Sequence, residues 1–534
     1  MKTKCNKILK SVCVVSLAAC MLTGYALPGV DAVSVSTDTS VGASAIGDNV
    51  GATAISGDFE YAVSIEGTVT IRKYVGNDTK IVIPSQIDGK PVTEIGLWAF
   101  GERADLTSIK IPEGVTTLMS GAFFNCSGLT DITIPKSVTQ MGESLFHGCA
   151  GIKSIKIPDG ITELTDGTFY ECTGLTSVTI PDKVTTIGKS VFSGCTALTN
   201  VKIPAGVSSI GEYAFSRCEK LTGITIPDRV ESIGKYAFNE CTGLTSITIP
   251  DGVSVIKQYT FNECSSLKSV TLPKNLTEIS HYAFYGCKGL KNISFPNSLT
   301  AIGVGTFKCS GLTSVFIPRN VTVIDSEAFL ECYGLKKIEV DENNANFSSY
   351  DGVLFNKEKT KLYVCPAGKA GSYTVPDGVT KISDNAFNLC VKITDVIVSD
   401  SVTELGAGAF LDCKELTKII IPQSVRKIEF NTFKNCENLT IYGYENSRAE
   451  DHANFYNIPF VALDNIGDVN DDGEVNAKDR ITLTRYLAKW EKYSVINEAN
   501  SDVNCDNKVT VKDRITLTRC LANWKGYEML PKFN

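Results

Sequence analysis

Leu175-Thr176-Ser177-Val178-Thr179-Ile180-Pro181, then Val184-Thr185-Thr186-Ile187-Gly188, then Phe192 and Cys195, is one turn of a sequence that repeats itself. Phe returns every 23 residues at Phe100, Phe123, Phe146, Phe169, Phe192, Phe215, Phe238, Phe261, Phe284 and Phe307, then at Phe329 after loss of one residue, and later at Phe387, Phe410 and Phe433. Cys stands three positions after Phe at Cys126, Cys149, Cys172, Cys195, Cys218, Cys241, Cys264 and Cys287. That column is expected to continue through Cys309, Cys332, Cys390, Cys413 and Cys436. Pro keeps the same period from Pro112 to Pro296. In Leu175–Pro181 apolar and polar residues alternate, which predicts a short strand, and Pro181 ends it because Pro cannot donate to a ladder. One such unit cannot bury its own Leu, Ile and Phe, so successive units must stack as the coils of a solenoid.

The period and the Leu-x-x-Ile-x-Ile core are the signature of a leucine-rich repeat with short parallel strands. The wording of the unit, with Ile-Pro, Ile-Gly and Ala-Phe-x-x-Cys, resembles the BspA-like branch of that family over about residues 59–463. The resemblance implies an N-terminal β cap at 59–92, repeats over 93–440 with an insertion at about 341–373 around Asp351-Gly352, and a C-terminal cap at 441–463. Residues 447–456 within that cap are expected to form a short helix. The cysteine ladder is read as inward thiols, since a free buried Cys packs as a small hydrophobe and a disulfide framework needs no Cys at one position in every coil.

Outward from the repeats, the N-terminus has Lys2, Lys4, Lys7 and Lys10 before a mostly apolar run, and Val30-Asp31-Ala32 offers a cleavage site. That order predicts a secretory signal peptide over 1–32, followed by a flexible leader over 33–58. Leu17-Ala18-Ala19-Cys20 is the competing reading, a lipobox that would anchor the chain through Cys20. No segment reaches the roughly 18 apolar residues of a membrane helix. A net charge of −7 argues against a nucleic-acid partner, which calls for a basic face.

Beyond a linker at 464–466 the period vanishes and a second duplication begins. Asp468, Asn470, Asp472, Glu474, Asn476 and Asp479 fall at positions one, three, five, seven, nine and twelve of a loop. Asp502, Asn504, Asp506, Lys508, Thr510 and Asp513 repeat it 34 residues on. A hard cation wants six or more oxygens from a wrapping loop, position seven lends only its carbonyl, and Gly473 and Asn507 both suit a positive φ at position six. Two Ca2+ sites are expected. Leu483, Leu487 and Trp490 share one helix face, as do Leu517, Leu521 and Trp524, and these faces should pack together.

Two loop–helix units of this spacing resemble a type I dockerin, the domain assigned to 467–534. The resemblance implies binding to a cohesin on a scaffoldin of a cellulosome. The implied contact residues are Ala477, Lys478, Ile481, Thr482, Arg485 and Lys489 on one helix and Val511, Lys512, Ile515, Thr516, Arg519 and Asn523 on the other. Either helix could then lead.

Caps and coils leave no room for a catalytic domain, and His147, His281 and His452 have no partners at metal or triad spacing. The chain therefore reads as a secreted, non-catalytic binding protein with the solenoid as its protein-interaction or adhesion surface. An inhibitor or regulator of secreted enzymes and a lipid-anchored adhesin are the alternatives. The outward strand columns, such as Ser154/Lys156 and Ser177/Thr179, are small and polar with no aromatic row. Phe316, Ile397 and Ile420 break them and are the expected contact points for a solenoid ligand.

Overall fold

In the computed structural model the chain divides into residues 1–50 and 51–534. The structure describes residues 53–463 and, beyond them, 469–470, 475, 477–489, 496, 501, 503 and 508–521. The signal-peptide, lipobox and most of the leader assignments lie outside the described residues.

Each coil contributes a strand where the alternation predicts one. Ser154–Lys156, Ser177–Thr179 and Asn200–Val201 pair in parallel, with Ser154 opposite Ser177 and Ser177 opposite Asn200, a step of one repeat. The central residue of each strand is buried and its neighbours face solvent. A second strand, not expected from the alternation, follows in the same coil. Thr186–Ile187 pairs in parallel with Glu163–Leu164 on one side and Ser209–Ile210 on the other. Threonine hydroxyls stitch the turns before these strands: Thr176 Oγ1 donates to the Lys153 carbonyl (2.8 Å) and Thr185 Oγ1 to that of Thr162 (3.3 Å), one coil back. Each of these carbonyls also accepts the backbone N–H of the same Thr, so the repeated Thr ties successive coils with two donors to one oxygen.

The third side of the coil is built on Phe. From Phe100 to Phe329 the rings form one unbroken buried stack with near-parallel planes. Two residues before and two after each Phe from Phe100 to Phe307 the backbone is left-handed, as at Tyr236 (φ 58°) and Glu240 (φ 56°) around Phe238; at Phe329 only the following position, Glu331, is. Such φ values cost a residue with a Cβ roughly 1–2 kcal/mol. They also turn the amides toward the next coil, and Glu240 N donates to the Asn262 carbonyl at 2.7 Å.

The thiols complete this side. Cys172 N donates to the carbonyl of Phe169 in its own coil, while Cys172 Sγ donates to the carbonyl of Phe146 in the preceding one (3.0 Å). The same thiol bond recurs at Cys126, Cys149, Cys195, Cys218, Cys241, Cys264 and Cys287. These cysteines are free and buried, as the ladder reading expects.

One assignment in that ladder is corrected. Ser310, not Cys309, stands in the thiol column: it is buried, its N donates to the Phe307 carbonyl, and its Oγ lies 3.3 Å from Cys332 Sγ. Cys309 sits at the left-handed position (φ 60°), is half-buried, and its thiol donates to Glu331 Oε2 (2.9 Å). The lost residue follows Ser310, where Ser310-Gly311-Leu312 replaces a Cys-x-Gly-Leu such as Cys287-Lys288-Gly289-Leu290. The column must stay three positions after Phe to reach the neighbouring carbonyl, so the deletion falls outside it.

At the N-terminal end Ala54–Ser56, Phe59–Val63 and Val69–Tyr74 form an antiparallel meander, and Val69–Tyr74 passes the sheet on in parallel to Lys90–Ile95. The irregular stretch holds a hairpin, Phe347–Tyr350 against Val353–Asn356, turned by Asp351 (φ 48°) and Gly352 (φ 74°). Two successive positive φ values are the requirement of a type I′ turn, which Asp-Gly meets. At the C-terminal end helix α1, Arg448–Tyr456, starts on Ser447, whose hydroxyl accepts from Glu450 N, and ends on left-handed Asn457. It buries Ala449 and Ala453 against the last coil.

Two outcomes are expected. Phe238→Ala removes a ring stacked on both faces, by Phe215 and Phe261, and should cost about 3–5 kcal/mol in a urea titration. A loss below about 1 kcal/mol would mean that the ring stack does not hold the coils. Burial pushes the Cys126 and Cys241 thiols up to about 12, so native-state alkylation at pH 8 should leave Cys126–Cys287 unlabelled and unpaired by peptide mapping, with half-exposed Cys309 reacting ahead of that column. Labelling of the column ahead of Cys309 would contradict the inward placement.

Candidate functional site

Helix α2, Ala477–Leu487, and helix α3, Val511–Leu521, are the duplicated helices, and they pack against each other. Each has a Thr hydroxyl donating to the carbonyl four residues back, Thr484 to Arg480 (2.6 Å) and Thr518 to Arg514 (2.7 Å). The inward face is as periodicity expects: Leu483 and Leu517 are fully buried and Leu487 half-buried. Trp490 and Trp524 lie outside the described residues, and the side chain of Leu521 is not described.

Of the expected calcium ligands, Asn470, Asp479, Lys508, Thr510 and Asp513 are described, while Asp468, Asp472, Glu474, Asn476, Asp502, Asn504 and Asp506 lie outside the described residues. Among the described residues no three His, Cys, Asp or Glu side chains cluster closely enough for a metal. Position twelve is described in both loops. Asp479 and Asp513 are both fully buried. A carboxylate out of water needs donors or a cation. Asp479 Oδ1 accepts from Val469 N (2.9 Å) and Asn470 N (3.3 Å), so the end of the first loop is folded back on its beginning. Asp513 Oδ2 accepts from Thr510 N (2.7 Å) and Thr510 Oγ1 (3.2 Å). Val469 and Val503, at equivalent places in the two loops, are both buried. The side chains would hold a hard cation through carboxylate, amide and hydroxyl oxygen, and its charge would offset the crowded carboxylates.

The outward face separates cleanly from this core. Ile481 is 42% exposed and its counterpart Ile515 39%, so the two helices present the same apolar residue to nearly the same degree. Val511 is also exposed. Around them Ala477, Lys478, Lys489 and Lys512 are exposed and Thr482, Arg485 and Thr516 half-buried. The Arg519 side chain and Asn523 fall outside what is described.

On the solenoid the expected contact points diverge. Phe316 stands free at 51% exposed. Ile397 and Ile420 are only half-buried, and Ile420 packs against the apolar cluster that includes Val469, Leu483, Val503 and Leu517. It is thus covered by the chain's own C-terminal region. The outer strand columns lack an aromatic row, as expected, but the Phe side carries two. Trp98, Phe124, His147 and Tyr170 follow one another with rings tilted by 32–43° and centroids 4.3–4.6 Å apart. Tyr213, Tyr236, Tyr259 and Tyr282 stack at 4.6–5.1 Å. The tyrosine row keeps a 23-residue spacing two places before each Phe, whereas Phe124, His147 and Tyr170 keep theirs one place after Phe, and Trp98 joins them from two places before Phe100.

The histidines have structural surroundings. His147 lies in the first aromatic row, where burial lowers its pKa. His281 Nδ1 accepts from Val304 N (2.9 Å). His452 lies against Phe433 and Tyr456 beside a cleft of about 500 Å³, and burial together with Arg448 lowers its pKa to about 4.

Comparison with known proteins agrees with this geometry. The BspA type leucine rich repeat region matches residues 73–198, 162–253, 231–357 and 365–462, and the dockerin type I domain matches residues 466–522. No curated protein matches the chain. Similar solved structures include a leucine-rich repeat protein from Bacteroides ovatus, 23% identical with a TM-score of 0.48 over 78% of this chain and 98% of that one. A leucine rich cell surface protein from Faecalibacterium prausnitzii is 24% identical with a TM-score of 0.32, covering 76% and 97% of the two chains. The chain belongs to the BspA type leucine rich repeat family and carries a type I dockerin at its C-terminus.

Proposed function

We propose that this is a secreted, non-catalytic interaction protein whose dockerin binds a cohesin on an extracellular scaffoldin in a calcium-dependent manner, presenting the solenoid as its second binding surface. Leucine-rich repeats and dockerins are binding modules, so the domain content supports an interaction role. The observation that carries the reading is the burial of Asp479 and Asp513, at position twelve of two loops whose sequence offers oxygen ligands, beside the matched outward residues Ile481 and Ile515. The loops supply the cation; the helices after them supply a surface available to a partner. The signal segment 1–32 fits export, and the assembly would be a cellulosome. For the solenoid, the aromatic rows from Trp98 to Tyr170 and Tyr213 to Tyr282 favour a binding surface on the Phe side over the polar strand columns.

Calcium is the first test. Six carboxylates, Asp468, Asp472, Asp479, Asp502, Asp506 and Asp513, crowd two short loops, and without a cation their repulsion should unfold 467–531. Calorimetry of the full chain should find two calcium ions. Chelation should cost the helical circular dichroism of α2 and α3 and leave the coils around Phe238 intact. A helical signal indifferent to chelator would remove the calcium reading.

The second test concerns the partner face. With interchangeable halves, replacing Ile481 and Arg485 by alanine should cost at most RT ln 2, about 0.4 kcal/mol, because the other helix can lead. Replacing Ile515 and Arg519 as well should cost several kcal/mol, as loss of paired hot spots does. Titration against a panel of cohesins measures both. One pair abolishing binding alone would end the dual mode, and a wild type that binds no cohesin would end the docking function.

A further inference from the structure

Along the solenoid one outward strand column stays polar and exposed: Thr133, Lys156, Thr179, Lys202 and Thr248 all face solvent. Near the C-terminal end it changes character. Ile397 pairs with Ile420, Ile420 with Tyr442, and Tyr442 with Val461, so four adjacent strands set apolar residues side by side on a face where other coils have Thr or Lys. Their exposure changes with them. Phe316, in the same column further back, is 51% exposed, whereas Tyr442 is 6% exposed. The Tyr442 side chain points away from the solenoid core, into which its buried neighbour Ile441 points. What covers it is the apolar set Val469, Val475, Leu483, Val503 and Leu517, which forms one cluster with Tyr442 and Leu463 and against which Ile420 and Val461 also pack. Leu483 and Leu517 are the inward residues of α2 and α3, so the dockerin core continues directly into the end of the solenoid. Lys418, over the Tyr442 ring at 5.0 Å, borders the patch.

We infer that the strand face of Ile420, Tyr442 and Val461 is the seat of the chain's own dockerin, and that calcium binding in the dockerin is thermodynamically coupled to this seat. The second half rests on the calcium reading above; the first does not. A domain this small has little apolar surface to bury internally, and the seat extends its core. Ile481, Val511 and Ile515 remain on the side away from that core, exposed. The seat therefore holds the dockerin while its outward face stays available, and it sets the direction in which the solenoid leaves the attachment point. Because calcium orders the loops that contribute Val469 and Val503, an intact seat must raise calcium affinity, and calcium must in return strengthen the seat.

The test uses the full chain. Ile420→Lys with Val461→Thr gives the column the residues it has at Lys156 and Thr179, so the coil itself should tolerate the change. Hydroxyl-radical footprinting in calcium should label Tyr442 several-fold more slowly than Phe316 in the wild type. In the double variant Tyr442 labelling should rise toward that of Phe316, and the calcium midpoint should rise by roughly tenfold. Arg426→Gln, away from the seat, should change neither. A wild-type Tyr442 labelled as fast as Phe316, or a double variant in which it stays protected, would overturn the seat. Release of Tyr442 with an unmoved calcium midpoint would overturn the coupling. A wild type that keeps Tyr442 protected but binds no calcium would sink the calcium reading and leave the seat standing.

Discussion

A coil of 23 residues has no interior of its own, and every other feature of this chain answers to that fact. The apolar side chains of one coil become buried only when the next lies on it in register, so register has to be locked on every side of the coil. Two strand columns do this with backbone ladders. The Phe side does it with carbonyls that accept an amide from their own coil and a thiol from the following one. Cysteine suits that place because its sulfur reaches the neighbouring carbonyl while remaining small and apolar enough for a water-free stack. Left-handed residues on either side of Phe are strained, but they aim the amides that tie coil to coil.

The solenoid was legible because its information is a column, and columns survive substitution at any one coil. What escaped was whatever a column does not encode. Strands of two residues, such as Thr186–Ile187, are too short for alternation to reveal. Cys309 was assigned by residue type, whereas the fold assigns by distance from Phe307 and puts Ser310 there. The tyrosines from Tyr213 to Tyr282 are periodic in plain view, but they lie off the strands, where alternation does not say which residues share a face.

In the dockerin the same contrast holds. Helical period separated Leu483 from Ile481, since that pattern is local. The covering of Ile420 was not legible, because an apolar residue on an outward column has the same sequence appearance whether its partner is another protein or the far end of the same chain. Only the long-range fold distinguishes them.

The hairpin at Phe347–Asn356 has a consequence for how the molecule meets force and proteases. It interrupts the ring stack, and the apolar interior falls into two bodies, one closing at Phe347, Leu354 and Val364 and the other opening at Val353, Phe355 and Leu362. In a one-dimensional array cooperativity runs only as far as the nearest-neighbour interfaces are uniform, so this junction is where it breaks. A chain held at its C-terminus and pulled from the other end would yield segment by segment, with the short body from Val353 to Ala453 able to open while the long one persists.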